Sequence, residues 1–332
     1  MTTLSRRAFL QYCGISAAAL GLDPLQLDLL GKALANPSGP SVIWLHGSSC
    51  TGCSVSLLNR ISDRVGEPAT IVDVLAGSIN LVYHATLMAS AGDPAVAAMR
   101  RLYNQGGYVL VCEGGVPTMF GGHCCKSYVF AGREVTFMEA VQEYSAKAEA
   151  IVCVGTCASF GGIPHSGSNP TGIVSVGELT GRPTINISGC PANPDWTVWA
   201  IVQLILGNSP VLDADGRPVA LYNTLADGVT PAAADEIHNK PCPRNLDSLG
   251  GATVFAEAFG EADLNTKCLR HLGCRGPNTK ARCDRCWNGI AESTDPVKCG
   301  TSCIAVNAPC HGCVERTFPG PESFYNAYTP PV

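Results

Sequence analysis

The sequence predicts an α/β chain in which a doubly wound parallel sheet is followed by an irregular, cysteine-rich carboxyl-terminal domain. Three observations carry that expectation. Short β-branched runs alternate with helical stretches from Pro40 to about Leu206. Most of those runs end in a glycine-containing loop with a cysteine at or shortly after it. Beyond about Asn208 the rhythm fails, while nine of the chain's 18 cysteines crowd into Cys242 to Cys313. A segment so poor in periodic pattern needs cross-links to hold a fold.

Taken in order, Ser41-Val42-Ile43-Trp44-Leu45 reads as a buried strand bounded by Pro40 and Gly47. It runs into His46-Gly47-Ser48-Ser49-Cys50-Thr51-Gly52-Cys53-Ser54, a CxxC loop, with a helix from about Val55. Ala69 to Leu75 reads as a second strand, and Pro94 to Gln105 as a helix with proline in its first turn. Tyr108 to Cys112 is a third strand, ending in Glu113-Gly114-Gly115. A helix over Phe137 to Ala148 leads to a fourth strand, Ala150 to Val154, ending in Gly155-Thr156-Cys157. Thr184 to Ile187 is a fifth, ending in Ser188-Gly189-Cys190-Pro191, and the helix Pro194 to Leu206 closes the unit. Parallel strands present their carboxyl ends on one edge, where open α/β sheets place ligands. Cys50, Cys53, Cys125, Cys157 and Cys190 can therefore converge there. The economical architecture is a flavodoxin-like domain over 41–207, with a second domain over 208–332.

The first 35 residues read as a leader. Ser5-Arg6-Arg7-Ala8-Phe9-Leu10 is a twin-arginine pattern, a weakly apolar stretch follows from Ile15 to Leu22, and Ala33-Leu34-Ala35 offers a cleavage site. Twin-arginine export carries proteins already folded around their cofactors, which predicts a periplasmic chain loaded before export. No apolar run approaches the ~20 residues a membrane span needs, so membrane association is expected through a partner. A net charge of -5 argues against nucleic acid as a partner.

The cysteines admit three explanations. Disulfide frameworks belong mostly to small secreted domains without a core. Structural zinc prefers CxxC knuckles, and Cys283/Cys286 with Cys310/Cys313 satisfy that formally, but zinc strands Cys242, Cys268 and Cys274. Iron–sulfur clusters use thiolates at looser spacings and accept an occasional histidine. Spacing favours clusters, so the second domain reads as iron–sulfur-stapled. Cys112 and Cys153, inside apolar strands, read as small core residues.

These residues also match a known family. The twin-arginine leader, Trp44-Leu45-His46-Gly47 with CTGCS, Glu113-Gly114 with Cys125-Lys126, Gly155-Thr156-Cys157-Ala158-Ser159-Phe160-Gly161-Gly162 and Asn169-Pro170-Thr171-Gly172 resemble the small, electron-transferring subunit of NiFe hydrogenases. So do Gly181-Arg182-Pro183-Thr184-Ile185-Asn186-Ile187, Gly189-Cys190-Pro191-Ala192-Asn193-Pro194-Asp195-Trp196, Leu272-Gly273-Cys274-Arg275-Gly276-Pro277 and Pro309-Cys310-His311-Gly312-Cys313. The resemblance covers essentially the whole chain. It implies a relay subunit of a heterodimeric uptake hydrogenase with three clusters in line, the nickel–iron site in a partner large subunit, and a cytochrome or another membrane-bound or soluble acceptor.

Carried over residue by residue, the resemblance assigns a proximal 4Fe-4S cluster to Cys50, Cys53, Cys125 and Cys157, with Cys190 as a motif cysteine that is not a cluster ligand, near the interface of the two subunits. A distal 4Fe-4S cluster takes His238, Cys242, Cys268 and Cys274, although this chain spaces the first two as HxxxC where the family has HxxC. Cys283, Cys310 and Cys313 fall on the three usual ligands of a medial 3Fe-4S centre. Cys303 replaces the family's usual proline, which predicts a medial 4Fe-4S cluster, or 3Fe-4S if Cys303 is not a ligand. Cys286 and Cys299 are additions, and Cys124 stands where the family usually has an aromatic residue. Oxygen-tolerant members carry extra cysteines at Gly52 and after the third ligand, near Phe130; their absence here predicts oxygen sensitivity. Lys267, Arg270, Arg275, Lys280, Arg282 and Arg285 form a basic segment that is either a solvated face or a docking patch for an acidic electron partner. The rival readings are a relay subunit of the respiratory complex I type, which lacks the leader and the cysteine-rich domain, and a zinc-stapled module without redox activity.

Overall fold

Ser41–His46 forms the strand around which the sheet is built. In the computed structural model, residues 40–60, 71, 79–88, 90–222, 242, 244, 254–281, 303 and 307–320 are described. The elements run β1 (Ser41–His46), α1 (Gly52–Leu58), β2 (Asn80–His84), α2 (Asp93–Gln105), β3 (Tyr108–Glu113), β4 (Val116–Pro117), β5 (Lys126–Phe130), β6 (Arg133–Thr136), α3 (Phe137–Ser145), β7 (Ala150–Val154), α4 (Thr156–Phe160), α5 (Gly162–His165), β8 (Ile173–Val174), α6 (Val176–Thr180), β9 (Ile185–Ile187), α7 (Pro194–Ile205) and α8 (Val219–Tyr222). A five-stranded sheet has the order β2-β1-β3-β7-β9, and every neighbouring pair in it is parallel. Taken in chain order, its strands lie second, first, third, fourth, fifth, the flavodoxin-like winding. Its switch point, where ligands bind, falls between β1 and β3.

Alternate residues of each strand face opposite sides, and both sides are covered, so the central strands β1, β3 and β7 are apolar on both faces along most of their length. Ile43, Leu45, Leu110, Cys112, Ile151 and Cys153 pack on one side with Met99 of α2 and Phe137, Val141 and Tyr144 of α3. Val42, Trp44, Val109, Val111, Val152, Val154 and Ile187 pack on the other with Leu57 of α1 and Trp196 and Trp199 of α7. Ala281 and Val314, from the cysteine-rich part, join this second side. Burying Val314 there contributes about 1.5 to 3 kcal/mol. Beyond α8, the described residues hold short 3-10 turns at Leu264–Thr266, Arg270–Leu272 and Gly276–Asn278.

Most sequence expectations fall within a residue or two of these bounds. The second strand does not. Ile71 is helical, the rest of 69–75 lies outside the described residues, and the strand beside β1 is Asn80–His84. The β-branched run outweighed a more mixed stretch whose end is set by a side chain. His84 Nδ1 accepts the backbone N–H groups of Thr86 and Leu87 at 3.1 and 3.3 Å, which turns the chain out of the sheet. The leader, His238, Arg282, Cys283, Arg285, Cys286 and Cys299 also lie outside the described residues.

Candidate cluster-binding site

The carboxyl ends of β1, β7 and β9 each release a loop with cysteine, and these loops meet. Gly155 N–H donates to Ile187 O, Thr156 N–H to Gly189 O and Gly189 N–H to Thr156 Oγ1, all at 2.9 Å, so the turns after β7 and β9 are zipped together. That zip sets Cys157 beside Cys190. Helix α1 starts earlier than the sequence predicts, at Gly52, so Cys53 lies in its first turn. The cause is Glu113 at the end of β3. Its Oε1 accepts the N–H groups of Cys53 and Ser54 at 3.1 and 3.2 Å, donors a helix start otherwise leaves unpaired.

The thiols of Cys50, Cys53, Cys157 and Cys190 sense one another. Burial pushes the Cys53 thiol far up, with the Glu113 charge next and Cys157 and Cys190 behind it. Burial and then Cys190 push Cys157 up to about 12, and burial and Cys50 raise Cys190. The Ala192 N–H points at Cys53 Sγ, 3.4 Å away. Two glycines make room. A Cβ on Gly155 would lie 2.5 Å from Cys53 Sγ, and one on Gly162 would lie 3.1 Å from Cys157 Sγ, and both residues have positive φ.

Cys125, expected from the family resemblance to complete this group, lies outside it. Its thiol meets the Ser48 hydroxyl and Cys124, and the residue packs against the first side of the sheet. Between Glu113 and Cys125 the chain makes β4 and a 3-10 turn over Met119–Gly122, so Cys125 opens the β5–β6 hairpin instead of closing a sheet strand. The fourth thiol of the group is Cys190, which the strand-end pattern gathers but the resemblance sets aside as a non-ligand.

In the carboxyl-terminal part, Cys242, Cys268 and Cys274 surround the buried Arg244 guanidinium, which burial pulls down and these thiols push back up. Burial pushes Cys242 up to about 11 and Cys274 higher. Cys310 lies against the same group, its N–H 3.3 Å from Cys274 Sγ, while Cys303 and Cys313 both sense the Cys310 thiol. Cys313 also accepts the Cys190 N–H at its sulfur and the Thr156 hydroxyl at its carbonyl, so the last CxxC sits on the zipped turns of the sheet. The described basic residues are partly spoken for. Lys267 pairs with Glu261 at 2.5 Å and Arg275 donates to Pro319 O at 2.7 Å.

Among the described residues, no three His, Cys, Asp or Glu side chains meet closely enough to hold a single ion. A cluster takes one thiolate per iron around its corners, so its ligands need not converge on a point. The half-buried thiols of Cys53, Cys157 and Cys190 with the exposed Cys50, in a cradle that two glycines keep open, fit that requirement.

Residues 50–204 match the family described as NADH ubiquinone oxidoreductase, 20 Kd subunit, and residues 234–326 match the carboxyl-terminal family of the NiFe/NiFeSe hydrogenase small subunit. The periplasmic NiFe hydrogenase small subunit of Solidesulfovibrio fructosivorans is 36% identical, over 92% of this chain and 90% of its own. The periplasmic NiFeSe hydrogenase small subunit of Desulfomicrobium baculatum is 35% identical, over 98% and 99%. Among solved structures, recombinant NiFeSe hydrogenase from Desulfovibrio vulgaris Hildenborough superposes with a TM-score of 0.72 at 34% identity, covering 89% of this chain and 99% of that one. The amino-terminal match alone is shared with the complex I type, but the carboxyl-terminal match and the full-length relatives are not: the chain belongs to the family of NiFe hydrogenase small subunits.

Proposed function

We propose that this chain is the electron-relay subunit of a periplasmic uptake hydrogenase, which passes electrons from H2 oxidation at a large-subunit nickel–iron site to an external acceptor. The observation that carries the reading is the convergence of Cys50, Cys53, Cys157 and Cys190 at the switch-point edge of the sheet. These four are taken as the ligands of the proximal 4Fe-4S cluster. His238, Cys242, Cys268 and Cys274 are taken for the distal cluster, and Cys283, Cys303, Cys310 and Cys313 for a medial 4Fe-4S cluster. When bound, the clusters supply one-electron centres whose potentials follow ligand type, hydrogen bonding and burial.

The chain's own residues prepare those sites. Apolar burial keeps iron-free thiols protonated, so a thiolate is stable there only when paired with a cation, and iron binding is coupled to proton release. Backbone N–H groups of Ala192 and Cys310 aim at the sulfurs of Cys53 and Cys274 and orient them. Val55 and Leu58 on α1 and Ile163 on α5 expose apolar side chains beside Cys53 and Cys157, a surface suited to the large subunit. Residues 1–35 are taken as the twin-arginine leader, and 41–207 and 208–332 as the two domains. A cytochrome or another membrane-bound or soluble carrier takes the electrons. Among the described residues no helix is long and apolar enough to cross a membrane.

Co-expression with the large subunit tests the reading. The pair should copurify, show visible absorption that dithionite bleaches, and reduce a viologen dye under H2. Cys190→Ser should lose one cluster's iron and the dye activity, whereas Cys125→Ser should keep both. Iron retained in Cys190→Ser and lost in Cys125→Ser would return the fourth ligand to Cys125.

A further inference from the structure

One buried chain of polar side chains runs from the sheet edge to the CxxC helix without being a ligand anywhere along it. His84, fully buried at the end of β2, has its ring 4.9 Å from both Trp44 and His46 and lies in an apolar crevice with Val42, Leu57 and Leu81. Its Nδ1 accepts two backbone N–H groups, those of Thr86 and Leu87, and so cannot carry the proton. The neutral ring therefore holds its N–H on Nε2, 3.2 Å from Ser54 Oγ. Burial, with His46 adding to it, holds His84 down at about 3, which keeps this tautomer at any working pH. Ser54 has one hydroxyl proton, and Glu113 Oε2, 2.5 Å away, takes it. His46 Nε2 closes the other flank, 3.4 Å from the same oxygen and 3.2 Å from Ser54 Oγ. Glu113 Oε1 then accepts the N–H groups of Cys53 and Ser54. The His84 and Ser54 donors both point toward the carboxylate, which the α1 amides meet from the other side.

We propose that His84 is a positioning residue for the proximal cluster: its N–H holds the Ser54 hydroxyl on Glu113, fixes the carboxylate over the Cys53 amide and thereby sets the cluster's reduction potential. This rests on the assignment of Cys53 as a proximal ligand. In low-dielectric surroundings a hydrogen bond polarises the next one in the series. The His84 donor strengthens the Ser54 donor, which in turn neutralises part of the carboxylate charge. Without it, more negative charge faces the site and an added electron is less welcome, so the potential falls.

The test uses the holo heterodimer and EPR-monitored potentiometric titration of the proximal signal. At the potential where the wild-type cluster is half reduced, His84→Phe should lower the reduced-to-oxidised ratio roughly threefold, equivalent to about 28 mV at 59 mV per tenfold for one electron. Ser54→Ala cuts the same series one bond later and should shift the ratio in the same direction. His84→Gln, whose amide N–H reaches towards Ser54, should restore most of the wild-type value. The medial and distal midpoints should not move. An unmoved proximal midpoint in His84→Phe with full iron content, or an equal shift of all three clusters, overturns the proposal. If His84→Phe does not assemble, Ser54→Ala decides alone, and an unchanged midpoint there overturns it equally. Failure of the underlying assignment looks different: Cys53→Ser would then retain the proximal signal, whatever the His84 variants do.

Discussion

Gly162 sits where a single methyl group would meet Cys157. Its φ of +54° is one that L side chains rarely adopt, and a Cβ there would also lie 3.0 Å from the Cys157 amide nitrogen. Gly162→Ala is expected to displace the Cys157 thiol and lower proximal iron occupancy, measured as iron per heterodimer, while the other clusters keep theirs. Cys303 carries a separate prediction. Cys303→Pro should convert the medial cluster to 3Fe-4S, read as a near-stoichiometric three-iron EPR signal in the oxidised protein that the parent lacks. The cysteines themselves were legible in the sequence because thiols at strand ends announce a site. Glu113 was visible only as a marker of position. Its role depends on meeting the amides of Cys53 and Ser54, contacts between segments far apart in the chain that no spacing rule contains.

At the scale of elements, local signals decided what could be read. Helix α3 opens with a reciprocal cap in which Thr136 Oγ1 accepts the Glu139 N–H at 3.1 Å and Glu139 accepts the Thr136 N–H at 2.8 Å. Thr136→Ala should destabilise the chain by about 1 kcal/mol in thermal unfolding. Hydrogen bonds from Thr136, then from Arg133, lower the Glu139 carboxyl, so its contribution is complete above the ordinary carboxylate value near ~4.3 and is lost as pH falls through the lower folded value. Wild type and Glu139→Gln should therefore converge in melting temperature at acid pH, as calorimetry can check. The strands β3 and β7 were legible for a similar reason: they are apolar on both faces and end at glycine. Strand β2 was not. It is an edge strand with mixed character, and what ends it is the imidazole of His84 turning back on its own backbone. The β5–β6 hairpin was missed because Ala131 and Gly132 form its turn within a stretch whose apolar residues, Tyr128-Val129-Phe130, do not alternate with polar ones.

The whole molecule is joined by a buried cation. Arg217, fully buried, pairs with Asp213 at 2.9 Å, Glu315 at 3.2 Å and Asp215 at 3.4 Å, and donates to Val314 O at 3.3 Å. It ties the loop after α7 to the residues just beyond the final CxxC. Arg217→Met removes the buried cation shared by Asp213, Asp215 and Glu315, of which Asp215 keeps Arg316 at 2.9 Å, and should cost about 3 kcal/mol, with earlier proteolysis near Glu315 in a limited-digestion time course. That joint, with the Thr156 hydroxyl and Cys190 N–H both held by Cys313, makes the two proposed cluster sites share one piece of backbone. Where filling one site orders the backbone the other needs, the two occupancies are linked reciprocally, each raising the other's affinity by the same factor. Loading statistics should then depart from independent filling: under iron limitation, native mass spectrometry of the heterodimer should show mostly empty and mostly full molecules, with half-filled ones scarce. A cell starved of iron would hold fewer complete relays instead of many broken ones.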